Sequence, residues 1–102
     1  MAKRPNMIWF MSDQHRGSAL SCHGDANLTT PNLDVAAASG VDCHNAVSGF
    51  PLCCPFRGSL LTGLYPHKAV PGHEIQLDPA LPLVTDTFHE HGYTSAYFGK
   101  WH

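Results

Sequence analysis

The stretch on which the architecture of this chain depends is residues 53–63, Cys-Cys-Pro-Phe-Arg-Gly-Ser-Leu-Leu-Thr-Gly. Proline is tolerated in the first turn of a helix because its missing N–H would be unpaired there, and glycine commonly follows the last helical residue. Pro55 and Gly63 therefore predict a short helix with Cys53 at its N-terminal end. Because peptide dipoles favour negative charge at that end, the pattern indicates chemistry on an anion.

On either side of this helix, apolar runs alternate with helix signals. Three apolar runs are predicted as strands, at 6–12, 41–48 and 93–98. Two further helices are bounded by Pro and Gly, one from Thr30-Pro31 to Gly40 and one from Pro82 to Gly92. Alternating strands and helices predict an α/β fold, a mainly parallel sheet with flanking helices and right-handed crossovers. Ligands of such sheets bind beyond the carboxyl ends of the strands.

Size and composition exclude several classes of protein. The 102 residues make one small domain, and a net charge of −2 without a basic block predicts no nucleic-acid partner. No apolar run approaches the roughly 18 residues of a membrane span, so we expect no membrane partner. The apolar run at the start has only five residues, too few for a secretory signal, which favours a cytoplasmic location, or a periplasmic one if a leader was removed.

The four cysteines do not form an obvious disulfide framework, because Cys53 and Cys54 are adjacent and closer than a disulfide usually spans. Reduced thiols are therefore expected. An alternative hypothesis is a transition-metal or thiol-redox module built from Cys and His pairs: Cys22-His23, Cys43-His44, Cys53-Cys54 and His89/His91. No C-x-x-C or C-x-x-H spacing supports this hypothesis.

Polar side chains follow the first and the last predicted strand. Asp13 and Gln14 offer two oxygen ligands suited to a hard divalent cation, although an isolated pair of this kind also fits a polar turn. Lys100 and His102 alternate along the chain and would share a face, where lysine supplies a point charge and histidine exchanges protons. Arg57 lies one helical turn from Cys53; its alternative role is that of a surface arginine.

Taken together, these segments resemble the sulfatase family. The family signature, Cys-x-Pro-x-Arg before a helix ending in Thr-Gly, corresponds to Cys53, Pro55 and Arg57, followed by residues 60–63. Other similar segments are the strand and polar pair at 7–14, Thr-Pro-Asn-Leu-Asp at 30–34, Gly-Leu-Tyr-Pro-His at 63–67 and Gly-Lys-Trp-His at 99–102. The resemblance implies an alkaline-phosphatase-like fold, of which residues 1–102 would be an N-terminal, incomplete segment of the catalytic domain.

The resemblance also implies a mechanism. A separate maturation enzyme would convert Cys53 to formylglycine, whose hydrated form attacks sulfur with one hydroxyl, while loss of a proton from the other later expels sulfate. Asp13, Gln14 and the modified Cys53 would bind a divalent metal, Ca²⁺ being favoured over Mg²⁺ or Mn²⁺. Arg57 would orient the diol. Lys100 would hold a sulfate oxygen, and His102 would assist proton loss. The expected substrate is a sulfate ester of a small molecule or a carbohydrate.

Two departures from the family pattern keep alternatives open. Gln14 stands where a second aspartate is commoner, and Asp-Gln also occurs in phosphonate monoester hydrolases of the superfamily, so phosphonate or phosphate ester hydrolysis is a second hypothesis. Family catalytic domains are several times longer and carry further metal ligands downstream. The 102-residue chain by itself is therefore expected to be inactive, a non-catalytic fragment whose exposed sheet edges favour self-association.

Overall fold

The computed structural model describes residues 4–101, and the chain divides into two compact units, Met1–Ala46 and Val47–His102. The first unit contains a 3₁₀ turn at Ser21–His23 and helix α1 at Pro31–Ser39. The second contains α2 at Cys53–Thr62, α3 at Pro66–Ala69 and α4 at Val84–Glu90. Residues 4–101 contain no β-strand.

The predicted parallel sheet is therefore not formed in this part of the chain. The runs at 6–12, 41–48 and 93–98 are irregular, and large apolar side chains are exposed in all three: Ile8 92%, Phe10 84%, Val41 92%, Val47 90% and Phe98 91%. A strand of a parallel sheet is stabilised when neighbouring strands satisfy its backbone hydrogen bonds and helices cover its two faces. An apolar run whose side chains remain in solvent has no helices covering its faces, and no neighbouring strand pairs with it among the described residues. The strand prediction failed for this reason.

In the first unit, a polar network joins the 3₁₀ turn to the start of α1. The Asp34 carboxylate accepts hydrogen bonds from the Ser21 hydroxyl (2.7 Å to Oδ2), the Thr30 hydroxyl (3.0 Å) and the backbone N–H of Cys22 (3.0 Å). The hydrogen bond from Ser21 is the main reason that the pKa of Asp34 lies below its ordinary value, and the other bonds act in the same direction. Partial desolvation of the carboxylate opposes them, because it would raise the pKa. The Thr-Pro-Asn-Leu-Asp segment thus has a structural role here.

In the second unit, α2 begins and ends as its sequence predicts. Pro55 lies in the first turn, and Gly63, with φ of 70°, adopts the left-handed conformation while its N–H donates to the Ser59 carbonyl. The helix packs against α3, and an added Cβ at Gly58 would lie only 2.5 Å from Cγ2 of Val70, which is 1% exposed. A side chain larger than hydrogen at position 58 therefore cannot fit without moving Val70.

Helix α4 also forms where it is predicted and packs on α2. Its start is capped by the Asp86 carboxylate, which accepts the Leu83 N–H at 2.7 Å, and after its end Gly92 adopts a φ of 77°. An edge-to-face contact between Phe88 and Tyr93 closes the turn that follows. Within residues 4–101, no helix has the length and apolar character that crossing a bilayer requires.

Candidate functional site

The site is built on the N-terminus of α2, where Cys53 is the first helical residue. The preceding Leu52 is extended (φ −121°, ψ 154°), and its carbonyl accepts the Phe56 N–H at 2.9 Å, which starts the helix. Cys53 is half-buried and carries a free thiol, while Cys54 is buried in the core. The two adjacent cysteines therefore have different roles: Cys54 packs, and Cys53 borders the surface at the positive end of the helix dipole.

Lys100 contacts Cys53 directly, although 47 residues separate them. Its Nζ donates a hydrogen bond to Cys53 Sγ at 3.3 Å. The sequence predicted that Lys100 would reach the site at the end of a strand; the strand is absent, and the contact forms from an irregular segment instead. A cationic donor thus lies within hydrogen-bond distance of the one side-chain atom that the motif singles out for chemistry.

Arg57 is buried beneath this contact and is only 5% exposed, so its interpretation as a surface arginine is wrong. Its Nε donates to the Lys100 carbonyl at 3.1 Å, and one terminal nitrogen donates to the Cys53 carbonyl at 3.3 Å. Both acceptors are backbone oxygens of the two residues whose side chains meet. The guanidinium therefore connects the helix N-terminus to the Lys100 segment, using the fixed geometry of its several donors.

Tyr97 is a site residue that sequence reasoning did not identify. Its hydroxyl donates to the same Lys100 carbonyl at 2.6 Å, and its ring meets Trp101 edge-to-face at 6.2 Å. The Lys100 carbonyl is thus held from two sides, by Arg57 and by Tyr97. The only signal in the sequence was an aromatic residue three positions before a lysine, which is too common a pattern to predict this contact.

Gly99 makes the turn into Lys100 with a φ of 99°. An added Cβ would have no heavy atom within 4 Å, so space does not require glycine here. The backbone conformation requires glycine, because residues with a side chain rarely adopt this φ. The glycine in Gly-Lys-Trp-His therefore sets the direction in which the chain delivers Lys100 to Cys53.

The remaining predicted site residues are placed as follows. Asp13 and Gln14 lie in the first unit, exposed, in a bend that follows the apolar run at 6–12. Their side chains offer a carboxylate and an amide carbonyl, oxygen donors that fit a hard cation. His102 lies outside the described residues. The structure thus brings together Cys53, Arg57 and Lys100.

Chemically, this arrangement suits the binding of an oxyanion at the Cys53 side chain. The ammonium of Lys100 and the N-terminal dipole of α2 both favour negative charge there. Because Arg57 and Tyr97 both donate to the Lys100 carbonyl, the backbone from which the ammonium extends is held before any ligand arrives. Donors that are already oriented stabilise developing charge without a cost of reorganisation.

Comparison with known proteins agrees with this chemistry. The family model described as Sulfatase matches residues 5–102. The chain is 42% identical over 100 residues to an ulvan-active sulfatase of Formosa agariphila, covering 97% of this chain and 20% of the relative. It is 35% identical to an N-acetylgalactosamine-6-O-sulfatase of Bacteroides thetaiotaomicron, covering 99% of this chain and 21% of the relative. It is 33% identical to human arylsulfatase A, covering 100% of this chain and 22% of the relative.

The chain spans about a fifth of the length of these relatives. No solved structure matches it significantly. The family match nevertheless covers nearly every residue, including the Cys53 motif and the segment that delivers Lys100. The chain belongs to the sulfatase family, whose members have an alkaline-phosphatase-like fold.

Proposed function

We propose that the protein hydrolyses sulfate esters, with Cys53 as the residue that is converted to formylglycine. The observation that carries this proposal is the 3.3 Å contact between Lys100 Nζ and Cys53 Sγ above a buried arginine. It supports a role for both side chains at one reacting centre. When formed, the hydrated aldehyde supplies two hydroxyls on one carbon, which a thiol with its single acidic hydrogen cannot.

Lys100 binds and orients the sulfate group in this proposal. Its ammonium lies where an oxygen of a sulfate ester at Cys53 would accept a hydrogen bond, and it balances the charge that grows on that oxygen. Arg57 acts on the same group through the backbone, because it holds the carbonyls of Cys53 and Lys100. Tyr97 is a positioning residue that acts through the second of these carbonyls.

Asp13, Gln14 and the modified Cys53 would hold a divalent cation. The donor set is all oxygen after modification, which favours Ca²⁺, with Mg²⁺ or Mn²⁺ as alternatives. When bound, such a cation lowers the pKa of a coordinated hydroxyl and offsets the substrate's charge. Gln14 contributes a neutral carbonyl in place of a second carboxylate, so we expect weaker metal affinity than for an Asp-Asp pair. His102, by its place in Gly-Lys-Trp-His, is proposed to accept or return a proton.

The substrate class and the partner follow from the same proposal. The relatives include an ulvan-active sulfatase and an N-acetylgalactosamine-6-O-sulfatase, which supports a sulfated carbohydrate or small molecule as the substrate. A formylglycine-generating enzyme would be the protein partner that converts Cys53.

Mass spectrometry of the peptide containing Cys53 tests the modification. After co-expression with a maturation enzyme, we expect the peptide to lose about 18 Da relative to the thiol form. Cys53→Ala should abolish the shift, and Cys43→Ala, at an exposed cysteine outside the motif, should leave it intact. An active protein with unmodified Cys53 would refute this part of the proposal.

A hydrolysis assay on the protein as its gene encodes it tests the role of Lys100. Lys100→Ala should lower kcat for an aryl sulfate by about 100-fold, the usual cost of losing a donor to developing charge. Lys68→Ala changes another exposed lysine at the end of α3 and should keep kcat. Faster cleavage of a phosphate or phosphonate monoester than of the sulfate ester would contradict the assigned substrate.

A further inference from the structure

A second cluster of ligand-type side chains lies in the first unit. Cys22, His23 and Asp42 each offer one donor atom, and the three atoms lie within 4.8 Å of one another. Cys22 lies in the 3₁₀ turn and His23 at its end. Asp42 follows α1 and is 19 residues from His23 along the chain. None of these residues belongs to the set assigned to sulfate-ester chemistry.

The hydrogen bonds of His23 determine which of its nitrogens faces the cluster. Nδ1 lies 2.7 Å from the Gly17 carbonyl oxygen, and because a carbonyl only accepts, Nδ1 is the nitrogen that carries hydrogen. Metal-binding histidines commonly donate their other ring N–H to a backbone carbonyl in this way. The arrangement leaves Nε2 as the nitrogen directed at Asp42.

The distance between His23 and Asp42 matches that between two ligands of a small cation, and Cys22 Sγ lies within 4.8 Å of both donor atoms. His23 Nε2 lies 3.0 Å and 3.2 Å from the two Asp42 oxygens. Zinc bonds of about 2.0 Å to nitrogen and oxygen place two ligands of a tetrahedron about 3.3 Å apart. With a proton on Nε2 this contact is a hydrogen-bonded ion pair. A metal ion would replace that proton and would gain Cys22 as a third ligand.

A fourth donor lies beside the cluster. His44 Nε2 lies 3.1 Å from Asp42 Oδ2, and its ring stacks on His23 at 4.4 Å. Zinc in proteins is usually bound by four ligands in a tetrahedron. His44 or water would therefore complete the set that Cys22, His23 and Asp42 begin.

We propose that Cys22, His23 and Asp42 form a transition-metal site whose ligand types select Zn²⁺. Thiolate, imidazole and carboxylate are the donors that zinc combines in proteins, whereas Ca²⁺ and Mg²⁺ require oxygen ligands. The sequence offered Cys22-His23 as one pair of an alternative metal module, but it did not predict Asp42, which lies 19 residues from His23.

Cobalt substitution in the full 102-residue chain tests the site, with Ca²⁺ in excess to occupy any all-oxygen site. We expect one Co²⁺ per chain with a thiolate-to-cobalt charge-transfer band, displaced by one Zn²⁺. Cys22→Ser should abolish the band, and Cys43→Ser, at another exposed cysteine in the same unit, should preserve it. Asp42→Asn keeps the thiol and should weaken Co²⁺ binding by about tenfold or more.

Alkylation of the unaltered chain gives a readout that does not depend on a variant folding. Zn²⁺ should slow the alkylation of Cys22, followed by peptide mass spectrometry, and leave the rate at Cys43 unchanged. Absence of stoichiometric Zn²⁺ or Co²⁺ binding would overturn the proposal. So would a charge-transfer band that persists in Cys22→Ser, or equal protection of both cysteines.

Discussion

Helices α1 and α2 are similar in length and both begin with a proline in the first turn, yet they are held in place differently. Helix α2 buries Cys54, Pro55, Arg57 and Gly58, and it packs on α3 and α4. Helix α1 buries none of its residues, and its Leu33 and Val35 are exposed. Its attachment is polar, through the hydrogen bonds that Asp34 accepts from the 3₁₀ turn and Thr30.

The difference shows that forming a helix and anchoring it are separate problems. Proline and glycine at the ends determine where each helix lies along the chain, and the same signals act in both. Whether the helix is then held by packing or by hydrogen bonds depends on what the rest of the chain brings against it. The two kinds of anchoring predict different responses to mutation and to pH.

Substitution of Arg57 should have the largest effect, because two backbone carbonyls lose a charged donor in a buried place. We expect Arg57→Met to lower the free energy of unfolding by about 3 kcal/mol. The measurement is urea unfolding followed by circular dichroism. Arg16→Met removes an exposed arginine of the first unit and serves as the matched control, with an expected change within about 0.5 kcal/mol. Equal urea midpoints for the two variants would show that the Arg57 hydrogen bonds do not anchor α2.

Gly58→Ala should have a smaller effect, because an overlap with Val70 opposes a gain in helix propensity. Overpacking costs about 1–3 kcal/mol, and alanine returns up to about 1 kcal/mol in a helix, so we expect a net loss of about 1 kcal/mol. In a Val70→Ala background the loss should disappear. Gly17→Ala is the control, since an added Cβ there meets nothing within 4 Å. A Gly58→Ala protein more stable than the parent would mean that α2 and α3 separate easily.

Asp34→Asn should give the smallest change, because solvent reaches the carboxylate and screens it. The pKa of Asp34 is lower in the folded state, so its contribution is present above the unfolded pKa and is lost as pH falls through the folded one. The unfolding temperature of the parent should therefore fall more steeply than that of Asp34→Asn between about pH 5 and pH 2. EDTA keeps metal binding out of the comparison.

Asp78→Asn is the matched control for this pH experiment. Asp78 is an exposed aspartate in the other unit whose carboxylate accepts one backbone N–H, from Ala80. The unfolding temperature of this variant should follow that of the parent as pH falls. Parallel curves for Asp34→Asn and the parent would instead show that the ionised carboxylate does not hold α1.

The ends of helices were predictable because the interactions that determine them are local. The starts of α1 and α2 at Pro31 and Cys53, and their ends before Gly40 and Gly63, involve groups a few residues apart. The 3₁₀ turn at Ser21–His23 and the short α3 were not predicted, since neither has an apolar period long enough to detect. The strands were predicted and are absent in residues 4–101, because a strand depends on partners that its own sequence does not contain.

For the candidate site, the sequence by itself determined which residues carry chemistry: Cys53 in its Pro-and-Arg motif, Lys100 after a glycine, and Asp13 with Gln14. The tertiary structure decided how they are used. It buried Arg57 against two carbonyls, added Tyr97, and brought Lys100 to Cys53 across 47 residues. The physical reason is range: caps and turns are set by neighbours in sequence, whereas contacts between distant segments exist only once the chain has packed.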